Sequence, residues 1–289
     1  MKTNYHTHTT FCDGNDTPEA MLQAALQKGF DVFGFSGHSM YPFAAEWHIA
    51  PRNFDTYKEE IRRLKAAYGA RIGVLYGFEA DYLPPLSKPH RALYDALQPD
   101  FLIGSVHYIT ENPDAQPAAC RWFTADGPVK EVADGIRDVF GGDGKKAVQT
   151  YFSLQRDMMR NGEFDIAGHI DVIRKRNGTL RFFDETEPWY KRELAATAEI
   201  AAKTGVIVEI NTGGIARKAI DDCYPSAAFL AQLRRYDVPV TVCSDAHAAR
   251  DVDCAFDLAR RKALDAGYRE TAYLLPAEGG VPRRCTAEL

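Results

Sequence analysis

Apolar and polar positions follow two different spacings along the chain. Short runs rich in β-branched and aromatic residues predict seven strands, over Thr3–His6, Val32–Ser36, Ile72–Phe78, Phe101–Ser105, Phe164–Ala167, Val206–Ile210 and Val238–Cys243. Longer segments have the periodicity of amphipathic helices, over Pro18–Gln27, Phe54–Tyr68, Pro89–Leu97, Lys145–Arg160, Pro188–Lys203, Ser226–Arg235 and Cys254–Ala266. Strands that alternate with helices are typical of βα units, so the pattern predicts an α/β fold with a parallel sheet.

The sequence favours one domain. No internal repeat, low-complexity tract or Ser/Gly-rich linker divides the chain, and we expect a single domain over residues 1–268. Residues 110–144 are too many for an ordinary βα loop, which predicts an insertion that could cover a site. Residues 269–289 contain Pro, Gly and Arg residues in their second half. We expect this last segment to be an irregular C-terminal tail.

Composition and charge exclude several classes of protein. The chain has 35 Lys and Arg residues against 40 Asp and Glu residues, a net charge of −5, whereas non-specific nucleic-acid binding needs a basic surface. No apolar run reaches the roughly 18 residues of a membrane span, and the polar start lacks a secretory signal. The six cysteines are scattered without a CxxC pair. We therefore expect a cytoplasmic protein with reduced thiols and with neither a membrane nor a nucleic-acid partner.

Histidines are concentrated where the predicted strands end. Six of the eight follow a strand directly, namely His6, His8, His38, His107, His169 and His247. Glu79 ends the third strand, at the same level. In a closed barrel of parallel strands the carboxyl ends open on one face, and active sites are built there. Six separate coincidences are hard to explain structurally, so we predict that these side chains form one site.

Spacing and ligand type indicate that this site binds metal. In His6-Thr7-His8 the two imidazoles alternate along a strand and point to the same side, and Asp245-Ala246-His247 repeats the arrangement at the last strand. Asp13 lies five residues after the first pair. Imidazoles and carboxylates without a thiolate suit zinc, manganese or iron. With Glu79 between the two pairs, a centre of several ions is geometrically natural.

The strand-end motifs closely resemble those of a known family. They are His6-Thr7-His8-Thr9-Thr10-Phe11-Cys12-Asp13-Gly14, Gly34-Phe35-Ser36-Gly37-His38-Ser39, Gly77-Phe78-Glu79-Ala80-Asp81-Tyr82, Gly104-Ser105-Val106-His107, Gly168-His169-Ile170-Asp171 and Ser244-Asp245-Ala246-His247. Together they resemble the polymerase-and-histidinol-phosphatase (PHP) family, and within it the monofunctional histidinol-phosphatase branch. The resemblance runs from about Asn4 to Gly267 and weakens across residues 110–144.

This resemblance implies a distorted (β/α)7, TIM-like barrel with three divalent metal ions at the C-terminal rim of the strands. It implies that the first ion is held by His6, His8, Glu79 and Asp245. The second would be held by Glu79, His107 and His169, and the third by Asp13, His38 and His247. Some relatives have histidine where this chain has Asp13, and an oxygen ligand there could favour manganese or iron over zinc.

The resemblance also implies a metal-dependent phosphomonoesterase, a histidinol-phosphatase of histidine biosynthesis that converts L-histidinol phosphate to L-histidinol and phosphate. The attacking group would be a metal-bridging water held by Glu79, His107 and His169. Three divalent cations bring +6 and three carboxylates bring −3, and the excess of about +3 suits a phosphate dianion. We expect a small-molecule phosphate ester as the substrate.

Residues outside the ligand set are assigned by chemistry alone. Arg156 and Arg217 are candidates for binding the phosphate, because a guanidinium matches its geometry. His48 is a candidate for contact with the imidazole or amine of the substrate. The acid that protonates the leaving alkoxide is open, with Asp171, metal-bound water and bulk water as alternatives.

Three other functions stay open from the sequence. A PHP phosphoesterase acting on a nucleotide or sugar phosphate would share every metal ligand. An amidohydrolase would also begin with an HxH motif, but it does not require Asp13, His38 and the last-strand pair together. A catalytically silent module that accompanies a polymerase is disfavoured by the length of the chain. The oligomeric state is not predicted by any feature of the sequence.

Overall fold

The computed structural model describes residues 1–112, 121–277 and 282–289. Part of the predicted insertion, residues 113–120 with Cys120, lies outside the described residues, as do residues 278–281 of the predicted tail. No helix within the described ranges is long and apolar enough to cross a membrane.

Seven parallel strands form the central sheet. In chain order the strands of the protein are β1 (Thr3–Asn4), β2 (Val32–Ser39), β3 (Gly73–Asp81), β4 (Phe101–Ser105), β5 (Tyr108–Ile109), β6 (Phe123–Thr124), β7 (Ile166–Ala167), β8 (Ile207–Asn211), β9 (Val240–Cys243), β10 (Glu270–Leu275) and β11 (Arg283–Glu288). The sheet has the order β1-β2-β3-β4-β7-β8-β9. A parallel bridge between Thr7 and Ala246 joins its two edges, and the side-chain amide of Asn4 donates to Ser244 Oγ at 2.6 Å. The sheet is therefore nearly closed into a barrel.

Helices cover the outside of this barrel. They are α1 (Pro18–Gln27), α2 (Phe54–Tyr68), α3 (Val129–Phe140), α4 (Gly144–Asn161), α5 (Asn177–Leu180), α6 (Pro188–Thr204), α7 (Gly213–Ala216), α8 (Ala227–Arg235) and α9 (Phe256–Asp265). Apolar residues of α1 and α2 pack with β2 and β3, and those of α4, α6 and α8 pack with β7, β8 and β9. Because both faces of the sheet are covered, β2 is buried over its whole length. The predicted α/β barrel is confirmed.

The C-terminal segment was expected to be irregular, and that prediction is wrong. Its strands β10 and β11 form an antiparallel hairpin at the starts of the barrel strands. Ala272 and Leu274 are buried in one cluster with Tyr5 and with apolar side chains of six of the seven barrel strands. The Tyr5 hydroxyl accepts from the Leu274 N–H at 2.8 Å, and Thr271 Oγ1 donates to the Val240 carbonyl at 3.0 Å. The hairpin plugs the end of the barrel opposite the predicted site.

Two further differences concern the connections. The helix predicted over Pro89–Leu97 is only a 3₁₀ turn over Arg91–Tyr94, because His90 forms a parallel bridge with Glu163 and the chain there is held extended. The predicted insertion contains a helix of its own, α3, and the strand β6, which pairs with β5 just before the insertion. These elements place the segment before α3 beside the rim of the barrel.

Candidate metal centre

The nine predicted ligand residues converge at the carboxyl ends of the barrel strands. They are His6 and His8 after β1, Asp13 in the next loop, His38 in β2, Glu79 in β3, His107 after β4, His169 after β7, and Asp245 and His247 after β9. Seven of them are buried within the barrel mouth, while His247 is half-buried and Asp13 is exposed. Residues 241 positions apart in the sequence thus share one site.

Glu79 lies at the centre of this cluster. Its Oε2 atom is 2.9 Å from His38 Nδ1 and 3.0 Å from His6 Nε2. Its Oε1 atom is 2.9 Å from His169 Nε2 and 3.4 Å from His107 Nε2. The strand register contributes directly, because His38 and Glu79 are partners in β2 and β3. Since each carboxylate oxygen faces two imidazoles, Glu79 has the geometry of a bridging ligand.

Two aspartates complete the acidic part of the cluster. Asp245 Oδ1 is 3.2 Å from His8 Nε2, and Asp13 Oδ2 is 3.2 Å from His247 Nε2. Asp245 has a φ of 49°, in the left-handed region that aspartate tolerates better than most residues. Arg217 donates to Asp245 three times, to Oδ2 at 2.8 Å, to the carbonyl oxygen at 3.0 Å and to Oδ1 at 3.4 Å. Arg217 therefore stabilises the conformation that directs Asp245 into the cluster.

Several overlapping groups of side chains could each hold an ion. Potential ligand atoms lie within 4.8 Å of one another in the groups His8–Asp13–His38–His247, His6–His8–Glu79, His6–His169–Asp245 and His38–Glu79–His107. The first group contains the three residues that the resemblance assigns to the third ion, with His8 added. The other groups meet at Glu79 or at His6. The arrangement is that of a polynuclear site rather than of one isolated cage.

Unpaired donor atoms show that the cluster fits divalent cations. Among the described residues, His6 Nε2, His8 Nε2, His38 Nδ1 and Glu79 Oε2 are buried and make no hydrogen bond of good geometry, although His6 Nε2 and His38 Nδ1 lie within 3.0 Å of Glu79 Oε2. Such atoms are costly to bury alone, and a cation between them would satisfy them. Burial, with the charges of His247 and His38, lowers the pKa of His8 to about 3, so its imidazole is neutral and has a free lone pair.

Acids and imidazoles in the cluster also stabilise one another's charged forms. Burial opposes protonation of His6, but the carboxylates of Glu209, Glu79 and Asp245 outweigh it and raise the pKa of His6 well above its usual range. Burial likewise opposes ionisation of Glu79, but the neighbouring imidazoles, His6 foremost, hold its pKa well below the usual range. Metal ligation needs the deprotonated forms, so cations compete with protons at this site.

Two buried carboxylates orient the imidazoles from behind. Glu209 Oε2 is 2.9 Å from His6 Nδ1, and Asp81 Oδ1 is 2.6 Å from His107 Nδ1. Glu209 also accepts from the His169 backbone N–H at 2.7 Å. In both pairs the Nδ1 atom faces the carboxylate, which leaves Nε2 directed at the cluster. Sequence reasoning assigned no role to either carboxylate, although a charged residue inside the apolar strand β8 is a signal that could have identified Glu209.

A cavity of about 270 Å³ opens onto the cluster. Its wall includes Asp13, His38, His107, His169, Asp245 and His247 of the predicted ligand set. Three cationic side chains line it as well, namely Arg217 and the unpredicted Lys175 and Arg176. Asp126, Gly127 and Pro128 bring the insertion to the wall. Outside the proposed ligand set, the wall therefore has three cationic side chains against one acid, Asp126.

Two of the three predicted substrate contacts, Arg156 and His48, do not line the cavity. Arg156 lies between α4 and α6, where its Nη1 donates to Glu193 at 2.7 Å and to Thr197 at 3.1 Å. It is a helix-to-helix contact, because its position on α4 faces the neighbouring helix. His48 has a side chain that is 0% exposed, with Nε2 2.8 Å from Asp81 Oδ2. Its ring supports Asp81 from behind and does not line the cavity.

The acid considered for the leaving group is also placed elsewhere. Asp171 is fully buried, accepts from the Ser226 N–H at 2.8 Å and lies 3.6 Å from Arg174. Burial raises the pKa of Asp171 to about 6 despite the charge of Arg174. Asp171 is not among the residues that line the cavity. It fixes the turn that follows His169.

Comparisons with known proteins agree with this geometry. Residues 4–213 match the family model described as PHP domain. Two proteins named "Probable histidinol-phosphatase" are similar to the chain: one from Deinococcus radiodurans is 27% identical over 93% of this chain and 95% of its own length, and one from Schizosaccharomyces pombe is 28% identical over 90% and 85%. The fold matches a crystal structure of histidinol phosphate phosphatase from Lactococcus lactis complexed with zinc, L-histidinol and phosphate, with a TM-score of 0.68 and 20% identity over 98% of each chain.

Proposed function

The chain belongs to the PHP domain family, and on that premise we propose that it is a metal-dependent histidinol-phosphatase. It hydrolyses the phosphomonoester of L-histidinol phosphate, releasing L-histidinol and phosphate. The observation that carries this proposal is the convergence of six buried acids and imidazoles around Glu79, beside a cavity lined by three cations. The relatives bear the same name over nearly their whole length, and the named structure holds zinc with the product and phosphate.

We propose three divalent ions, zinc, manganese or iron, with the ligand sets that the resemblance implies. His6, His8, Glu79 and Asp245 would hold the first, Glu79, His107 and His169 the second, and Asp13, His38 and His247 the third. When bound, divalent ions neutralise phosphoryl oxygens and make water acidic enough to supply the nucleophile at neutral pH. Phosphate-monoester hydrolysis is among the slowest uncatalysed reactions, so the charge of the bound ions must supply most of the stabilisation of the transition state.

The side chains of the protein perform the remaining steps. Glu79, His107 and His169 fix the position from which phosphorus is attacked, because Glu209 and Asp81 hold the backbone of His169 and the ring of His107. Lys175, Arg176 and Arg217 bind the phosphate oxygens and draw the anionic ester into the cavity. No protein acid is assigned to the leaving alkoxide, and water is the proton donor that fits the open cavity.

A substrate panel tests the proposed activity. The protein loaded separately with zinc, manganese or iron is assayed for phosphate release from L-histidinol phosphate, AMP and glucose 6-phosphate. We expect kcat/KM for L-histidinol phosphate to exceed the others by roughly 100-fold or more, which corresponds to about 3 kcal/mol of transition-state discrimination. Equal kcat/KM values for the three substrates would contradict the histidinol-phosphatase assignment, although the protein would still be a phosphoesterase of the family.

Replacing one proposed ligand tests the metal count. His38→Ala removes a ligand of the third set, so we expect the protein to lose about one ion per chain. We also expect it to lose most of its kcat, because kcat depends on positive charge that stabilises the phosphate in the transition state. Metal content is measured by elemental analysis after gel filtration. His90→Ala is the matched control, since His90 lies on the surface beside Glu163. Full metal content and full activity in His38→Ala would contradict the assignment.

A further inference from the structure

Asp126 is a carboxylate of the cavity wall that has no place in the proposed metal set. The acids that line the cavity are Asp13, Asp126 and Asp245, and the other two are assigned to ions. Asp126 comes from the insertion, in the turn between β6 and α3. All other charged side chains of the wall outside the proposed ligand set are cationic. Asp126 is therefore the one acid beside three cationic side chains in this part of the wall, and its presence needs a separate explanation.

The backbone around Asp126 is held from both sides of the cavity. The Ala125 N–H donates to the carbonyl of His107 at 2.7 Å, which ties the turn to one proposed metal ligand. Arg176 Nε donates to the Gly127 carbonyl at 2.6 Å, which ties it to the segment that follows β7. The position of Asp126 over the cluster is therefore set before any substrate binds, as a recognition residue requires.

The two carboxylate oxygens of Asp126 have different surroundings. Oδ2 accepts from Lys175 Nζ at 2.8 Å. Oδ1 is buried and, among the described residues, has no hydrogen-bond partner. Burial opposes ionisation, but the charges of Lys175 and His107 hold the pKa of Asp126 below its usual range, so the group is anionic. An unpaired anionic oxygen at a cavity wall is a place for a cationic donor.

We propose that Asp126 is the specificity-determining residue for the substrate, and that its Oδ1 accepts a hydrogen bond from the ammonium group. This inference rests on the proposed function and narrows the substrate to phosphate esters that carry a positive charge near the ester. The phosphate binds at the metal floor and at the cationic side chains of the wall, of which Lys175 also donates to Asp126 Oδ2. A nucleotide or sugar phosphate has no ammonium, leaves Oδ1 unpaired and meets a carboxylate that repels its own anionic group.

A pair of substrates that differ only in the ammonium group tests this role. L-histidinol phosphate is compared with its deaminated analogue, 3-(imidazol-4-yl)propyl phosphate, in wild type and in Asp126→Asn. We expect Asp126→Asn to lower kcat/KM for L-histidinol phosphate by roughly 10- to 100-fold, the loss of one charge-assisted hydrogen bond. The analogue should change by less than about threefold, because it makes no such bond. The metal content of the variant is measured to establish that the cluster is intact.

Controls separate recognition from a structural role. Asp134→Asn is the matched variant, because Asp134 lies on the outer part of the insertion with Lys130 and Arg137, and it should leave both substrates unchanged. Equal loss on both substrates in Asp126→Asn, or no loss on either, overturns the inference. If wild type fails to hydrolyse L-histidinol phosphate, the proposed function fails. Calorimetric binding of L-histidinol then decides the inference, since equal affinity in wild type and Asp126→Asn overturns it.

Discussion

At the scale of single residues, the imidazoles are oriented by carboxylates that lie outside the proposed ligand set. Glu209 lies within hydrogen-bond distance of the His6 ring and accepts from the His169 backbone, and Asn211 Nδ2 donates to Glu209 at 2.7 Å. One buried carboxylate therefore positions residues assigned to two different ions. Its removal should affect the metal affinity of the cluster more than the stability of the barrel.

We expect Glu209→Gln to weaken metal binding by roughly 10- to 100-fold, because the neutral amide no longer favours the ring orientation and basicity that ligation needs. Competition with a chelator of known affinity measures this, and activity should return at high metal concentration. Glu193→Gln is the control, since Glu193 lies on α6 with Arg156. Unchanged metal affinity in Glu209→Gln would contradict a positioning role for Glu209.

Residues at strand ends could be predicted from the sequence more readily than residues in the connections, of which only Asp13 and Arg217 were predicted and line the cavity. His6 and Glu79 were identifiable because a parallel barrel brings strand ends together whatever their separation in the chain. Arg156 and His48 were assigned on chemical type alone, and side-chain direction decided against both. Lys175 and Asp126 lie in connections whose path depends on tertiary contacts, so no local pattern placed them at the cavity.

At the scale of elements, most helices could be predicted because their periodicity and caps agree. Pro18–Gln27 and Phe54–Tyr68 match the prediction at both ends, and Thr17 Oγ1 caps the first by accepting from the Ala20 N–H. The hairpin β10–β11 was not predicted because the alternation of apolar and polar residues along its strands is short and few of its residues are buried. Its stability comes from the barrel end that it covers, a contact that no local window contains.

Leu274→Ala tests the hairpin as a plug. Leu274 is 2% exposed in the cluster that fills the barrel end, so truncation should lower the free energy of unfolding by about 2–5 kcal/mol. Chemical denaturation of the metal-loaded protein measures the loss. Leu264→Ala is the control, because Leu264 is 39% exposed on α9. We expect kcat to be retained, and a loss of kcat matching the loss of stability would mean that the plug also shapes the site.

At the scale of the whole molecule, the cluster couples metal content to stability and to pH. The pKa of His107 is raised to about 10, since Asp81 and Glu79 outweigh burial, and the pKa of His6 is raised as well. A raised imidazole pKa contributes stability that is complete below the unfolded value of about 6.5 and is lost as pH rises through the folded value. The metal-free protein should therefore become less stable above neutral pH.

Metal removal tests this coupling. Binding of one ion at a free concentration of 100 times Kd stabilises a protein by about 2.7 kcal/mol, so chelation should lower Tm by roughly 5–10 °C for each ion lost. Thermal unfolding with and without chelator at pH 6 and pH 9 measures it. We expect the difference in Tm to be larger at pH 9, because protons then compete less for the imidazoles. A difference that shrinks with pH would contradict the proposed ligand chemistry.

The seam at which the barrel closes has a consequence for biosynthesis. Asn4 contacts Ser244, Thr7 pairs with Ala246 and His8 contacts Asp245. The first and last strands therefore close the barrel together. A polypeptide emerging from the ribosome carries its earliest imidazoles long before their partners are translated. The proposed metal site can therefore bind its ions only after translation, and a chain truncated before Asp245 lacks part of the ligand set.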